Sequence, residues 1–118
     1  METLTMILDS VPYGNEKLWN ALRLAKALIS AAVDMKVNIF LIGDAVVAAK
    51  KGQKTPEGYY NLEVMLKDLV QHGVEVMACT TCANARGINK EDLIEGVKLG
   101  TVIGLAEWIE NSHKILSF

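Results

Sequence analysis

Short, nearly continuous apolar runs alternate along the chain with longer segments whose apolar residues return every three or four positions. Leu4, Thr5, Met6, Ile7 and Leu8 form the first run. So brief an apolar stretch predicts a strand buried on both faces. The next residues, 9–15, hold Pro12 and Gly14 and predict a turn. Over residues 16–32 Leu18, Leu22, Ala25 and Ile29 recur at helical spacing, and acidic Glu16 suits a first helical turn.

Residues 36–42 predict a second strand, with Val37, Ile39, Phe40, Leu41 and Ile42 almost unbroken. Gly43 ends it, and Asp44 is expected to cap a short helix running to Ala49. Residues 51–59 contain Gly52, Pro56 and Gly58 and read as a loop. Asn61 is placed to cap the next helix. Its apolar face is Leu62, Met65, Leu66, Leu69 and Val70; its polar face is Glu63, Lys67, Asp68 and Gln71. Gly73 stands where that helix should stop. Residues 74–79 predict a third strand and 90–95 a short helix, while 97–99 fit a fourth strand or a helix lead-in equally. A helix over 101–111 should turn Val102, Leu105, Ala106 and Ile109 inward, and a terminal strand should occupy 114–118.

This alternation implies strand–helix–strand crossovers within a single α/β domain, 1–118: a mainly parallel sheet with helices on both faces. Ligands of such sheets sit beyond the carboxyl ends of the strands. The loops 9–15, 43–44 and 79–87 should therefore share one rim.

Composition narrows the function. Hydrophobic residues make up 51% and charged residues 22%, which is globular rather than disordered. That apolar share is high for a small domain, and Trp19 and Trp108 fall off the main helical stripes, so a subunit interface is expected. The net charge of −2 is spread without a basic stripe, which argues against nucleic acid. No apolar run approaches the roughly 20 residues of a membrane helix. The N-terminal residues lack a basic n-region, and two cysteines do not make a secreted disulfide framework. A cytoplasmic protein is expected.

The chemistry concentrates at Cys79, Thr80, Thr81, Cys82 and Arg86-Gly87. A thiol where a strand ends and a helix begins can be made a thiolate by free N–H groups and a nearby cation. Thr80 or Thr81 is expected to cap a helix starting near Cys82, Arg86 to supply the charge, and Gly87 to end the helix. A thioredoxin-type dithiol also fits the spacing, although that motif usually opens a long helix after an early strand. Structural zinc needs four ligands, and His72 and His113 lie far from the cysteines in sequence. A cysteine hydrolase needs a positioned base, and His72 ends a helix at the wrong end of the third strand. Two inert packing cysteines remain a further reading. No metal and no cofactor are expected.

The chain resembles the DsrE/DsrF-like sulfur-relay family, in particular its YchN-like branch. The resemblance spans nearly all of it. It rests on Val11-Pro12-Tyr13-Gly14 after the first strand, then Glu16, Leu18 and Leu22-Arg23-Leu24-Ala25. It continues through Phe40-Leu41, Gly43-Asp44-Ala45-Val46, Gly52-Gln53-Lys54 and Glu57-Gly58-Tyr59. Cys79 and Cys82 before Arg86-Gly87-Ile88, Gly96-Val97 before Gly100-Thr101, and Leu105-Ala106 before Trp108 complete it. The resemblance implies a three-layer α/β/α sandwich with about five strands, as the alternation does. It implies a homo-oligomer, a trimer or hexamer, and sulfur carried as a cysteine persulfide. Cys79 fills the position of the acting cysteine, and Cys82 belongs to the YchN-like pattern.

The expected function is sulfur relay: Cys79 takes sulfane sulfur from a donor protein and yields it to an acceptor thiol, with Arg86 lowering its pKa and Cys82 resolving the persulfide. A non-catalytic oligomeric scaffold and a small dithiol oxidoreductase are the alternatives. Tyr13, Gly14 and Asn15 on the rim could bind an anion with Thr80, Thr81 and Gly87, or simply form a tight strand-to-helix turn. Lys51, Gln53 and Lys54 read as a solvated loop, and Tyr59 and Tyr60 as a cover for a site or a subunit contact.

Overall fold

A computed structural model describes residues 1–31 and 34–118. Five strands, β1 (Glu2–Leu8), β2 (Met35–Leu41), β3 (Glu75–Cys79), β4 (Lys98–Gly100) and β5 (Lys114–Ser117), form one sheet in the order β4-β3-β2-β1-β5. All four pairings are parallel. The helices are α1 (Lys17–Ser30), α2 (Leu62–Gln71), α3 (Thr80–Ala85) and α4 (Val102–Glu110). Two 3₁₀ segments, Gly43–Ala49 and Lys90–Asp92, lie between them. Among these elements no helix is long and apolar enough to cross a membrane.

The strand order steps outward from β1 to β4 and then returns to β5 on the other side of β1. Right-handed crossovers therefore place α4 on the face opposite α1 and α2. Register divides the side chains accordingly. Leu4, Met6 and Leu8 pair with Val37, Ile39 and Leu41 on one face. Thr5 and Ile7 pair with Asn38 and Phe40 on the other. α1 buries Leu18, Ala21, Leu22 and Ala25, and α2 buries Leu62, Leu66 and Leu69. A Lys26–Asp68 bridge of 2.6 Å ties these two helices. On the second face Trp108 of α4 meets Phe40 edge-on, with centroids 6.3 Å apart.

Caps explain several boundaries. Asn61 Oδ1 accepts the Val64 N–H at 3.2 Å, as its position before the apolar stripe requires. Thr101 Oγ1 accepts the Gly104 N–H at 3.0 Å and starts α4. Residues 97–99 resolve in favour of strand, and the expected 90–95 helix shrinks to one 3₁₀ turn closed by an Asn89–Asp92 capping box. The expected end of α1 at residue 32 lies outside the described residues.

Four expectations need correction. Asp44 caps nothing, because the 43–49 segment is 3₁₀ and starts after Ile42 without a side-chain cap. Neither Thr80 nor Thr81 caps α3, which begins at Thr80 with Cys79 itself in the N-cap position. Trp108 points inward rather than off the stripe. Of the α4 residues expected inside, only Leu105 is buried; Val102, Ala106 and Ile109 are exposed. The phase of α4 is set by Leu105 and Trp108, three apart on the side that meets Phe40.

Gly96 is required where it stands. Its φ is +92°, and an added Cβ would lie 2.5 Å from Val70 Cγ1. Gly96→Ala should therefore lose about 1–3 kcal/mol in urea denaturation through backbone strain and overlap. Asn61→Ala should lose about 1 kcal/mol with its cap. Unchanged midpoints in both variants would contradict this packing.

Candidate functional site

β3 runs into α3 with no intervening loop, so Cys79 is at once the last strand residue and the helix N-cap, at φ −58° and ψ 122°. Cys82 follows one turn on, and residues three apart on a helix share a face. Both are free thiols. Their surroundings differ. Cys79 is 2% exposed and belongs to the apolar core, whereas Cys82 is half-buried.

Burial pushes the Cys79 thiol up from its ordinary value, because a sulfur anion loses its water there. The N–H groups of Cys82 and Thr81 pull the other way, and the Cys82 thiol adds to the rise. Burial prevails. This corrects the expectation that Cys79 is a thiolate at neutral pH, and Arg86 does not supply the missing charge. Its Nη2 and Nε donate to Asp44 Oδ1 at 2.7 and 3.2 Å, and its Nη1 donates to the Cys82 carbonyl at 3.0 Å. The guanidinium is neutralised by Asp44 and clamps α3 to the 43–49 segment.

Gly43 makes the second link across this joint. Its N–H donates to Cys82 Sγ at 3.2 Å. Gly43 takes a left-handed φ of +60°, with the Asp9 carbonyl 3.8 Å from where a Cβ would stand. The three loops expected on one rim therefore meet: Asp9, Gly43-Asp44 and the Cys79 to Arg86 stretch. The sequence placed Gly43-Asp44 on the rim with the sulfur segment, from their position at the end of the neighbouring strand, but not the bonds that join the two.

The other candidates are placed differently. Thr80 Oγ1 donates to the Gly100 carbonyl at 3.0 Å and ties α3 to β4. Thr81 and Gly87 are exposed beside the pair. The Tyr13 hydroxyl donates to Gln53 Oε1 and accepts the Leu62 N–H at 3.0 Å. Asn15 Oδ1 accepts the Lys17 N–H at 2.9 Å, and Gly14 turns at φ +102°. These bonds make residues 12–15 a braced turn directed at α2 and the 50–60 loop, rather than at the sulfurs. Gln53 is a brace as well, since its Nε2 donates to the Ala48 and Lys50 carbonyls. Tyr60 stacks on Tyr59, Tyr13 and Trp19, with Arg23 over the Trp19 ring at 4.5 Å. Among the described residues no three His, Cys, Asp or Glu side chains gather as metal ligands.

A parallel five-stranded α/β fold with a cysteine at the end of its third strand defines a class, and the comparisons agree. The profile of the DsrE/DsrF-like family matches residues 3–118, and the chain belongs to that family. Protein YchN of Escherichia coli (strain K12) is 42% identical over 118 residues, all of both chains. The crystal structure of the ychN protein from E. coli superposes with a TM-score of 0.94 over the full length of both chains. An uncharacterised protein of Methanopyrus kandleri, MK0008, is 38% identical over 118 residues, 100% of this chain and 95% of the relative.

The raised Cys79 pKa has a consequence for stability. The native state binds this proton more tightly than the unfolded chain does. The contribution is whole below the unfolded thiol value and is lost as pH rises through the folded one. Unfolding free energy should therefore fall as pH rises above the ordinary thiol value of about 8.5. The fall should be shallower in Cys79→Ala. Equal slopes would contradict the raised value.

Proposed function

We propose that this protein relays sulfur, holding sulfane sulfur as a persulfide on Cys79 with Cys82 as its partner thiol. The observation that carries the reading is a pair of free thiols one helical turn apart at the carboxyl end of β3, within a DsrE/DsrF-like fold. Cys79 stands at the start of α3, where the nearby backbone N–H groups of Thr81 and Cys82 favour an anion over a neutral sulfur. A persulfide is a stronger acid than the thiol that bears it, so its anion forms in the same surroundings at a lower pH than the thiolate does. Burial then shields the stored sulfur from solvent. Arg86 serves by position: its bonds to Asp44 and the Cys82 carbonyl fix α3.

The chemistry balances without an added oxidant. Thiolate attack on the outer sulfur of a donor R–S–SH breaks the donor S–S bond, and R–S⁻ leaves. If Cys82 later attacks the inner sulfur of the persulfide, a Cys79–Cys82 disulfide forms and sulfide departs; the two thiols supply the two electrons. Donor and acceptor proteins would approach the rim. A reducing cytoplasm suits thiols kept free.

Burial of Cys79 is the one observation that favours the second reading, a non-catalytic scaffold. A dithiol oxidoreductase would use the same pair without gaining sulfur. In either the relay or the scaffold the chain is a homo-oligomer, a trimer or hexamer. Val102 (58% exposed), Ile103 (73%), Ala106 and Ile109 of α4 are exposed, as is Ile115 on β5. One nine-residue helix leaves that side of the sheet incompletely covered, and a second copy is the occupant proposed for it.

Two measurements check this. After exposure to a sulfane donor and a short chase with a small thiol, wild type should keep a mass gain of about 32 Da, one sulfur on a nucleophilic cysteine. Cys79→Ala should keep none. No gain by wild type, or equal retention by the variant, would defeat the relay. Light scattering at micromolar concentration should report an oligomer that Ile103→Glu dissociates; a wild-type monomer would defeat the assembly.

A further inference from the structure

Resting on the relay reading, we propose that Cys82 is the port through which sulfur enters and leaves, and that Cys79 is the store behind it. Access comes first. Cys79 is 2% exposed, so a donor persulfide cannot meet its sulfur while α3 stays in place. And α3 is held at both ends. Thr80 Oγ1 bonds the Gly100 carbonyl at its start, and Arg86 bonds Asp44 at its finish. Half-buried Cys82 lies between these anchors, one helical turn from Cys79.

The second observation is the Gly43 N–H on Cys82 Sγ. A sulfur that attacks, and later leaves, carries negative charge at both moments, and an N–H aimed at it strengthens as that charge grows. This donor is built in rather than incidental. Gly43 precedes Asp44, whose carboxylate holds Arg86, and Arg86 in turn holds the Cys82 carbonyl. Donor and sulfur thus sit on two segments cross-bonded at adjacent residues.

The transfer then runs in two balanced steps. The Cys82 thiolate attacks the outer sulfur of a donor R–S–SH, the donor S–S bond breaks, and R–S⁻ leaves. Cys79 next attacks that outer sulfur, the bond from Cys82 Sγ to it breaks, and Cys82 departs under the Gly43 N–H. The proton that Cys79 gives up ends on Cys82. No atom is oxidised or reduced overall, because the sulfane sulfur only changes bearer. Delivery is the same path reversed.

Two experiments on the full-length protein decide it. In folded wild type, iodoacetamide at neutral pH with peptide mapping should label Cys82 about tenfold or more faster than Cys79, since rate follows access and thiolate fraction. Equal or reversed rates overturn the port. In stopped-time mass measurement with a small persulfide donor, Cys82→Ser should take up sulfur about tenfold or more slowly than wild type, as loss of the attacking thiol requires. Cys79→Ala should still gain sulfur on Cys82 and lose it in the thiol chase. Wild-type uptake by Cys82→Ser overturns the port and leaves the relay standing. No uptake by wild type overturns the relay and the port with it.

Discussion

The joint between the 43–49 segment and α3 governs the rest of the rim. It consists of two neighbouring cross-links, the Gly43 N–H to Cys82 Sγ and the Asp44 carboxylate to Arg86. The ion pair is only partly shielded, so its Coulomb energy is modest. Its value is geometric. It fixes the register of a six-residue helix too short to hold its own position. With α3 fixed, one thiol faces the core and the other faces the joint. Removing the clamp would leave both sulfurs on a helix free to fray.

Burial and hydrogen bonding compete at Cys79, and the outcome sets its chemistry. Two N–H groups favour an anion there, but loss of water outweighs them and keeps the resting thiol protonated. A resting thiol of that kind is a poor first nucleophile. The same pocket suits a species that is more acidic and is harmed by solvent, which describes a persulfide. The half-exposed neighbour supplies the reach that the buried sulfur lacks. The proposed division of work between the two cysteines thus rests on their places on one helical turn.

Strands β1, β2 and β3 were legible because each is a short, nearly continuous apolar run, and α2 because Asn61 precedes a clear stripe. The C-terminal third was harder to read. β4 has three residues and the 90–92 turn another three, too few to show any period. In α4, Val102, Ile103, Leu105, Ala106, Trp108 and Ile109 surround the axis with apolar groups, so its inward side could not be told from spacing. The cysteines and Arg86 stood out by type and order. Their partners did not, because Gly43 and Asp44 lie 39 and 42 positions away and meet them only through the sheet. The charge expected to act on Cys79 was accordingly assigned without its counter-ion. Tyr13 and Asn15 stood out for turn chemistry, and turn bracing is what their hydrogen bonds do.

A crystal exposed to a sulfane donor, with sulfur positions located by anomalous scattering, decides whether the buried thiol is a store. If it is, an additional sulfur lies about 2.05 Å from Cys79 Sγ, the length of an S–S bond. A bare Cys79 in a donor-treated protein that has gained sulfur elsewhere would contradict that assignment.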